Sequence, residues 1–354
     1  MNFGALSKAV GAFTDEMLPG ACARVSVHGK NVFAVSAGMS DAENQIEMRG
    51  DEVFSAYSMT KPLTACLALM AWEKGLLDPD APLCTYLPEF REIKVLIRDE
   101  SGLHIAPAKN AVTVYRLLTM SAGFGSDMAL LGASPTRRAI SSLAEKPLLF
   151  EPGEHWLYGL CYEVLGAVLE EVYRLPLRRA FSKYIFKPCG MTDSRFLSEV
   201  TDYSQIVPVY RAALGTYESA PLDLTYAPHS AYDSGGAGLV TTAKDYENFL
   251  NALMGGKLLK EKSLALMKAD SLTVSSRPDF NWPQTKGYGY GCGVRVPLAS
   301  EGTRDYGWGG AAGAYCLLDF DLDACLVFFT NVLNADETVL YPRLRSVFYE
   351  SIKA

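Results

Sequence analysis

Histidine is scarce in this chain. Its 354 residues carry four, at positions 28, 104, 155 and 229, far apart and without the spacing of metal ligands. No metal site is expected, and no cofactor. Eight cysteines (22, 66, 84, 161, 189, 292, 316 and 325) are scattered without a C-x-x-C pair, which speaks for small buried thiols rather than a disulfide scaffold. Long basic runs are missing. Thirty-three Lys and Arg against 40 Asp and Glu leave a formal net charge of −7, which argues against a nucleic-acid or anionic-membrane surface. Long apolar runs are missing too: the most apolar stretch, 63–72, is about half the length that spans a bilayer. Residues 1–20 are broken by Gly4, Ser7, Lys8, Asp15 and Glu16, so no secretory leader is read there and a cytoplasmic protein is expected.

What is present is an ordinary globular balance, 49% apolar and 21% charged, in a chain long enough for two folding units of roughly 150 residues, or one with a large insertion. Residues 21–37 alternate around His28-Gly29-Lys30-Asn31 and predict a β-hairpin. Leu63, Leu67, Met70 and Ala71 recur at helical spacing, so 58–75 predicts a helix with Gly75 near its C-cap. From 78 to about 230, helical stretches (112–120, 135–145, 160–173, 177–186) alternate with Pro-containing loops and strand-like runs are few. Helices are expected again at 242–254, 260–268 and 336–352, and strands at 288–296, 314–320 and 324–331. The pattern predicts an α/β (α+β) fold in which N- and C-terminal segments build one antiparallel sheet flanked by helices. The sheet-containing unit is read as 1–78 with 231–354, and a mostly helical inserted domain as 79–230. An active site is expected in the cleft between them.

The sharpest chemical signal is Ser58-Met59-Thr60-Lys61 at the start of the first of these helices. Residues three apart share a helical face, so a lysine amine reaches a serine hydroxyl that needs a base to become nucleophilic. The helix N-terminus adds a positive dipole end and free amides for a developing oxyanion. Pro62 is tolerated only in a first turn, which supports that register. Taken alone, the tetrapeptide fits an N-capping serine and a surface lysine better, because about one such match arises by chance in a chain of this composition.

The surrounding residues carry a wider likeness. The stretch Phe54-Ser55-Ala56-Tyr57-Ser58-Met59-Thr60-Lys61-Pro62-Leu63-Thr64-Ala65 is followed by Glu73-Lys74-Gly75-Leu76-Leu77-Asp78 and Tyr86-Leu87-Pro88-Glu89-Phe90. Arg116-Leu117-Leu118-Thr119-Met120-Ser121-Ala122-Gly123-Phe124, Lys187-Pro188-Cys189-Gly190-Met191-Thr192-Asp193-Ser194 and Gly235-Gly236-Ala237-Gly238-Leu239-Val240-Thr241-Thr242-Ala243-Lys244-Asp245 follow in order. Together they resemble the serine β-lactamase-like and penicillin-binding-protein superfamily, in its class C β-lactamase-related branch. The likeness implies a β-lactamase/transpeptidase-like fold with Ser58 as nucleophile and Lys61 as its partner.

In that family a Tyr-x-Asn follows a Pro-Gly. Here Pro152-Gly153 leads to Tyr158-Gly159-Leu160, so the tyrosine is retained and the Asn position holds Leu160. The resemblance makes Tyr158 and Lys61 the acid–base pair. In place of a Lys-Thr-Gly stands Tyr306-Gly307-Trp308-Gly309-Gly310-Ala311, similar to the Trp-Gly-Gly carboxylesterases of the branch (family VIII type). That pattern implies an oxyanion hole from the Ser58 and Ala311 amides, with Trp308, Gly309 and Gly310 lining the substrate site. Losing both the Lys and the Asn removes polar handles for a peptide or lactam, whereas an apolar ester needs fewer. The expectation is therefore ester hydrolysis through a Ser58 acyl-enzyme, on a small-molecule ester or acyl substrate. Acyl transfer, weak β-lactamase or D-peptidase activity, and a non-catalytic penicillin-recognising protein are the alternatives. No G-x-S-x-G elbow exists. His155 lies close enough in sequence to Tyr158 to line the pocket, while His104 and His229 are read as structural or surface residues. Tyr57, Tyr162, Tyr232 and Tyr315 are candidate cleft aromatics with an equally good core reading.

Overall fold

The computed structural model describes residues 1–353 apart from 101, 129–133, 214, 215, 223 and 227–230, so His229 lies outside the described residues. The expected hairpin is present and longer than read: β1 (Gly20–Val27) and β2 (Lys30–Asp41) turn at His28 and Gly29, both left-handed with φ of 51° and 69°. Two left-handed residues in a row match the twist of the flanking strands, so the turn closes without splaying them. With β3 (Ile46–Glu47), β4 (Tyr288–Tyr290), β5 (Arg295–Pro297), β6 (Tyr306–Gly309), β7 (Tyr315–Asp319) and β8 (Ala324–Thr330) they form one sheet. Its order is β4-β5-β6-β7-β8-β1-β2-β3, antiparallel throughout, with Ala21 opposite Thr330 at the centre.

Five helices matter for the site: α1 (Gly4–Glu16), α2 (Thr60–Glu73), α3 (Cys161–Tyr173), α4 (Ala243–Met254) and α5 (Glu337–Lys353). In β8 successive side chains point to opposite faces. Ala324, Leu326 and Phe328 pack with Leu6, Val10 and Phe13 of α1 and Leu340, Leu344 and Phe348 of α5. Cys325, Val327 and Phe329 pack in the larger core that holds Leu63, Leu67, Leu165 and Phe249. Both faces are covered, which is why all seven residues of β8 are buried and the first six are apolar rather than alternating with polar ones. Six of the eight thiols are buried, and burial pushes the Cys22, Cys161 and Cys292 thiols up to about 12, far from any nucleophilic range.

Two expectations are corrected. The strand read at 288–296 is two short strands, β4 and β5, folded back through a tight turn where Gly293 has φ of 73°. The stretch 79–230 holds more β-structure than expected, as hairpins Lys94–Asp99 with Gly102–Pro107 and Val209–Ala213 with Thr216–Ala220. These strands lie at the surface with little of either face buried, so no clean apolar alternation marks them. Among the described residues no helix is long and apolar enough to cross a membrane, and no group of three potential metal ligands occurs.

Candidate active site

Ser58 sits in a short 3-10 turn, Tyr57–Met59, that runs directly into α2. Tyr57 is left-handed with φ of 46°, a strained conformation for a non-glycine residue that the packed surroundings must hold in place. The turn and the first two turns of α2 are tied to one loop. Thr60 accepts from the Leu239 amide (3.1 Å), and Thr64 donates to the Gly235 carbonyl (2.5 Å). Between them, Lys61 Nζ donates to the Gly236 carbonyl at 2.9 Å and to Ser58 Oγ at 3.0 Å. Lys61 is only 5% exposed, so its amine works in a largely desolvated corner.

That loop is held in turn by Glu163, a carboxylate near the start of α3 that sequence reasoning missed. It accepts from Tyr232 Oη (2.7 Å), Ser234 Oγ (2.7 Å) and the Gly236 amide (3.1 Å). Burial pushes its pKa up, and these hydrogen bonds and the nearby Lys61 pull the other way. A side chain at Gly236 would place its Cβ 2.6 Å from the Glu163 carboxylate, so only glycine lets the backbone pass between acid and lysine. A lone acid among Cys161, Tyr162, Val164 and Leu165 is itself a legible signal, because an unpaired buried carboxylate is costly.

Tyr158 faces the same cleft as Ser58, and Lys61 Nζ lies 4.5 Å from the centre of its ring. Its phenol oxygen accepts from Trp308 Nε1 at 3.1 Å, and among the described residues it makes no hydrogen bond to Ser58 or Lys61. Serine, lysine and tyrosine are thus gathered, with the serine–lysine bond made and the phenol held by an indole. Leu160, where an Asn was missing, is buried at the entry to α3 and presents no polar group.

The end of β6 completes the site. Gly310 runs past residue 56 so closely that an added Cβ would stand 2.5 Å from the Ala56 carbonyl, which brings Ala311 beside Ser58. The Ser58 and Ala311 amides both lack an acceptor among the described residues. Two free amides near one hydroxyl can stabilise an oxyanion formed on an attacked carbonyl. The cleft, about 290 Å³, is lined by Ser58, Tyr158, Trp308, Gly309, Gly310 and Ala311, all six anticipated from sequence. Trp282, Gln284, Arg295, Glu337 and Tyr341 line it too and were not anticipated, whereas Tyr315, named among the aromatics, is there. Tyr57, Tyr162 and Tyr232 belong to the core instead, each with its ring fully packed. His155 is also corrected: its Nδ1 pairs with Asp279 at 3.0 Å, and it does not line the cleft.

Fold and site together define the β-lactamase/transpeptidase-like class: an antiparallel sheet with helices on both faces and a Ser-x-x-Lys turn at its edge. The chain belongs to the Beta-lactamase family, whose model matches residues 6–347. It is 29% identical over 357 residues to Esterase EstB of Burkholderia gladioli, covering 90% of this chain and 88% of the relative. It is 28% identical over 353 residues to Acyltransferase calJ of Penicillium decumbens, covering 87% and 82%. Among solved structures, EstCE1, described as a hydrolase with promiscuous acyltransferase activity, superposes with a TM-score of 0.82 at 23% identity over 98% of this chain and 97% of that one.

Proposed function

We propose that the protein is a serine carboxylesterase that works through an acyl-enzyme on Ser58. The observation that carries this reading is the Lys61 Nζ to Ser58 Oγ contact of 3.0 Å inside a cleft that also holds Tyr158. In this reading the Ser58 proton passes to the Lys61–Tyr158 pair as Oγ attacks the ester carbonyl. The oxyanion takes the Ser58 and Ala311 amides, and its collapse expels the alcohol, which leaves with the returned proton. Water then repeats the sequence on the acyl-enzyme and restores the free hydroxyl. The Trp308 N–H donates to the phenol oxygen and fixes the ring over Lys61, so the pair keeps its geometry as the proton moves. The cleft in this reading separates two lobes, 1–78 with 231–354 and 79–230.

The apolar, aromatic lining favours an ester over a peptide or lactam, and the resemblance to Esterase EstB supports the same choice. Acyl transfer is the second reading, favoured by the likeness to Acyltransferase calJ. Intact-mass analysis during turnover of p-nitrophenyl butyrate is expected to show one butyryl adduct, absent in Ser58→Ala. Adduct formation or full turnover in that variant would end the assignment. Added alcohols that divert the adduct to a new ester would decide for transfer over hydrolysis.

A further inference from the structure

The charges that face the cleft are not balanced. Arg295 lines it, but its guanidinium is paired with Asp305 (2.6 Å), and both side chains are almost fully buried. Lys61 donates to Ser58 and to the Gly236 carbonyl, with the Glu163 carboxylate bonded to the amide of that same glycine. The remaining charged side chain lining the cleft is Glu337, at the start of α5. Its carboxylate accepts from the neutral amide of Gln284 at 2.9 Å, and no ion pair among the described residues includes it. Burial pushes its pKa up, and neutral hydrogen-bond donors, Tyr341 and Gln284, pull the other way.

Aromatic faces complete the picture. Tyr158, Trp282 and Trp308 stand within 5.0–6.3 Å of one another, with Trp282 nearly perpendicular to Tyr158. Differently inclined rings beside a carboxylate suit an alkylammonium group, which gains from ring quadrupoles and from the negative charge together. The same carboxylate repels an anionic ligand at short range.

Resting on the ester reading above, we propose that the cleft selects esters bearing a positive charge, an amino or quaternary ammonium ester, and that Glu337 is the residue that reads this charge. Glu337 takes no part in bond making. It acts on which substrate binds and how tightly.

The test compares substrates that differ in charge at constant shape, by pH-stat titration of the unaltered chain and of Glu337→Gln and Glu337→Lys. Butyrylcholine, its all-carbon isostere neohexyl butyrate and anionic sulfopropyl butyrate place the charge on the alcohol side. The ethyl ester of γ-trimethylammoniobutyrate and its all-carbon isostere place it on the acyl side. The expected result is kcat/KM about tenfold higher for the cation than for its isostere on one side, carried mostly by KM. That ratio should fall close to one in Glu337→Gln and below one in Glu337→Lys. Each ratio is internal to its variant, so partial loss of folded protein does not change it. A ratio near one on both sides of the unaltered chain, or one that Glu337→Gln leaves in place, overturns the proposal. Failure to turn over any of these esters strikes the ester reading instead. Quenching of tryptophan fluorescence by benzyltrimethylammonium against benzenesulfonate then still reads the charge preference, and equal quenching overturns it.

Discussion

At the Ser58–Lys61 corner polar groups are matched nearly one to one: Lys61, Thr60, Thr64 and Glu163 each have hydrogen-bond partners in the 232–239 loop or its flanks. Elsewhere in the same cleft the wall of Trp282, Trp308 and Glu337 presents ring faces and one carboxylate without a cation. The corner is rigid because each of its dipoles already has a use, so it suits a reaction that needs fixed geometry. The wall keeps unspent interactions, so it suits recognition. Reaction and selection are thereby assigned to different stretches of chain and can be damaged separately.

Lys61→Ala should do the greatest damage to the corner, lowering the kcat for p-nitrophenyl butyrate by about 10³-fold, within the span usual for a positioned acid–base group. A loss under tenfold would detach the lysine from the chemistry. Glu163→Ala comes next. It strands three buried donors, so the melting transition should drop by an amount corresponding to about 3 kcal/mol, together with activity. Glu163→Gln, which keeps one acceptor oxygen, should recover part of both, and a calorimetric scan that finds Ala and Gln alike would show the carboxylate to be idle. Trp308→Phe keeps a ring in the wall but removes the N–H on Tyr158. It is expected to cost about tenfold in kcat with little change in KM, whereas a pure KM effect would place Trp308 wholly on the recognition side.

The smallest effect lies outside both regions. Burial pushes the Glu170 carboxyl up to about 7, from an ordinary value of 4.5, so between those pH values the folded chain holds a proton that the unfolded chain has lost. Stability on this account is full below about pH 4.5 and declines as pH rises through about 7. Glu170→Gln should flatten that decline, by about 1–2 °C in melting temperature between pH 5 and pH 8, without altering turnover. A slope unchanged by the substitution would assign the decline to other groups.

The corner was the more legible region because its logic is short-range. Ser58 and Lys61 are three apart on one helix, Pro62 fixes the register, and the flanking residues carry the family likeness. The hairpin at β1–β2 and the helices α2, α3 and α4 were readable for the same reason, since a period of two or of 3.6 is a local property. Glu163 could have been read from its apolar neighbours, but not its link to Lys61, which passes through a loop some seventy positions further on. Glu337 carried no signal at all: an acid in a first helical turn is favoured by the dipole wherever the helix lies, and only the packing of α5 against β7 and β8 places it in the lining of the cleft. The surface hairpins escaped because neither buries a full face.

The position of β1 between β2 and β8 has a consequence for biosynthesis. The strand that begins at Gly20 is made well before its second neighbour, Ala324–Thr330, which lies about three hundred residues further along the chain. Until then the first hairpin has a bare edge, and the Gly309–Ala311 segment beside Ser58 does not yet exist. A nascent chain stalled before β6 therefore carries Ser58 in an unfinished pocket, and the pocket closes only once β6, β7 and β8 have been made.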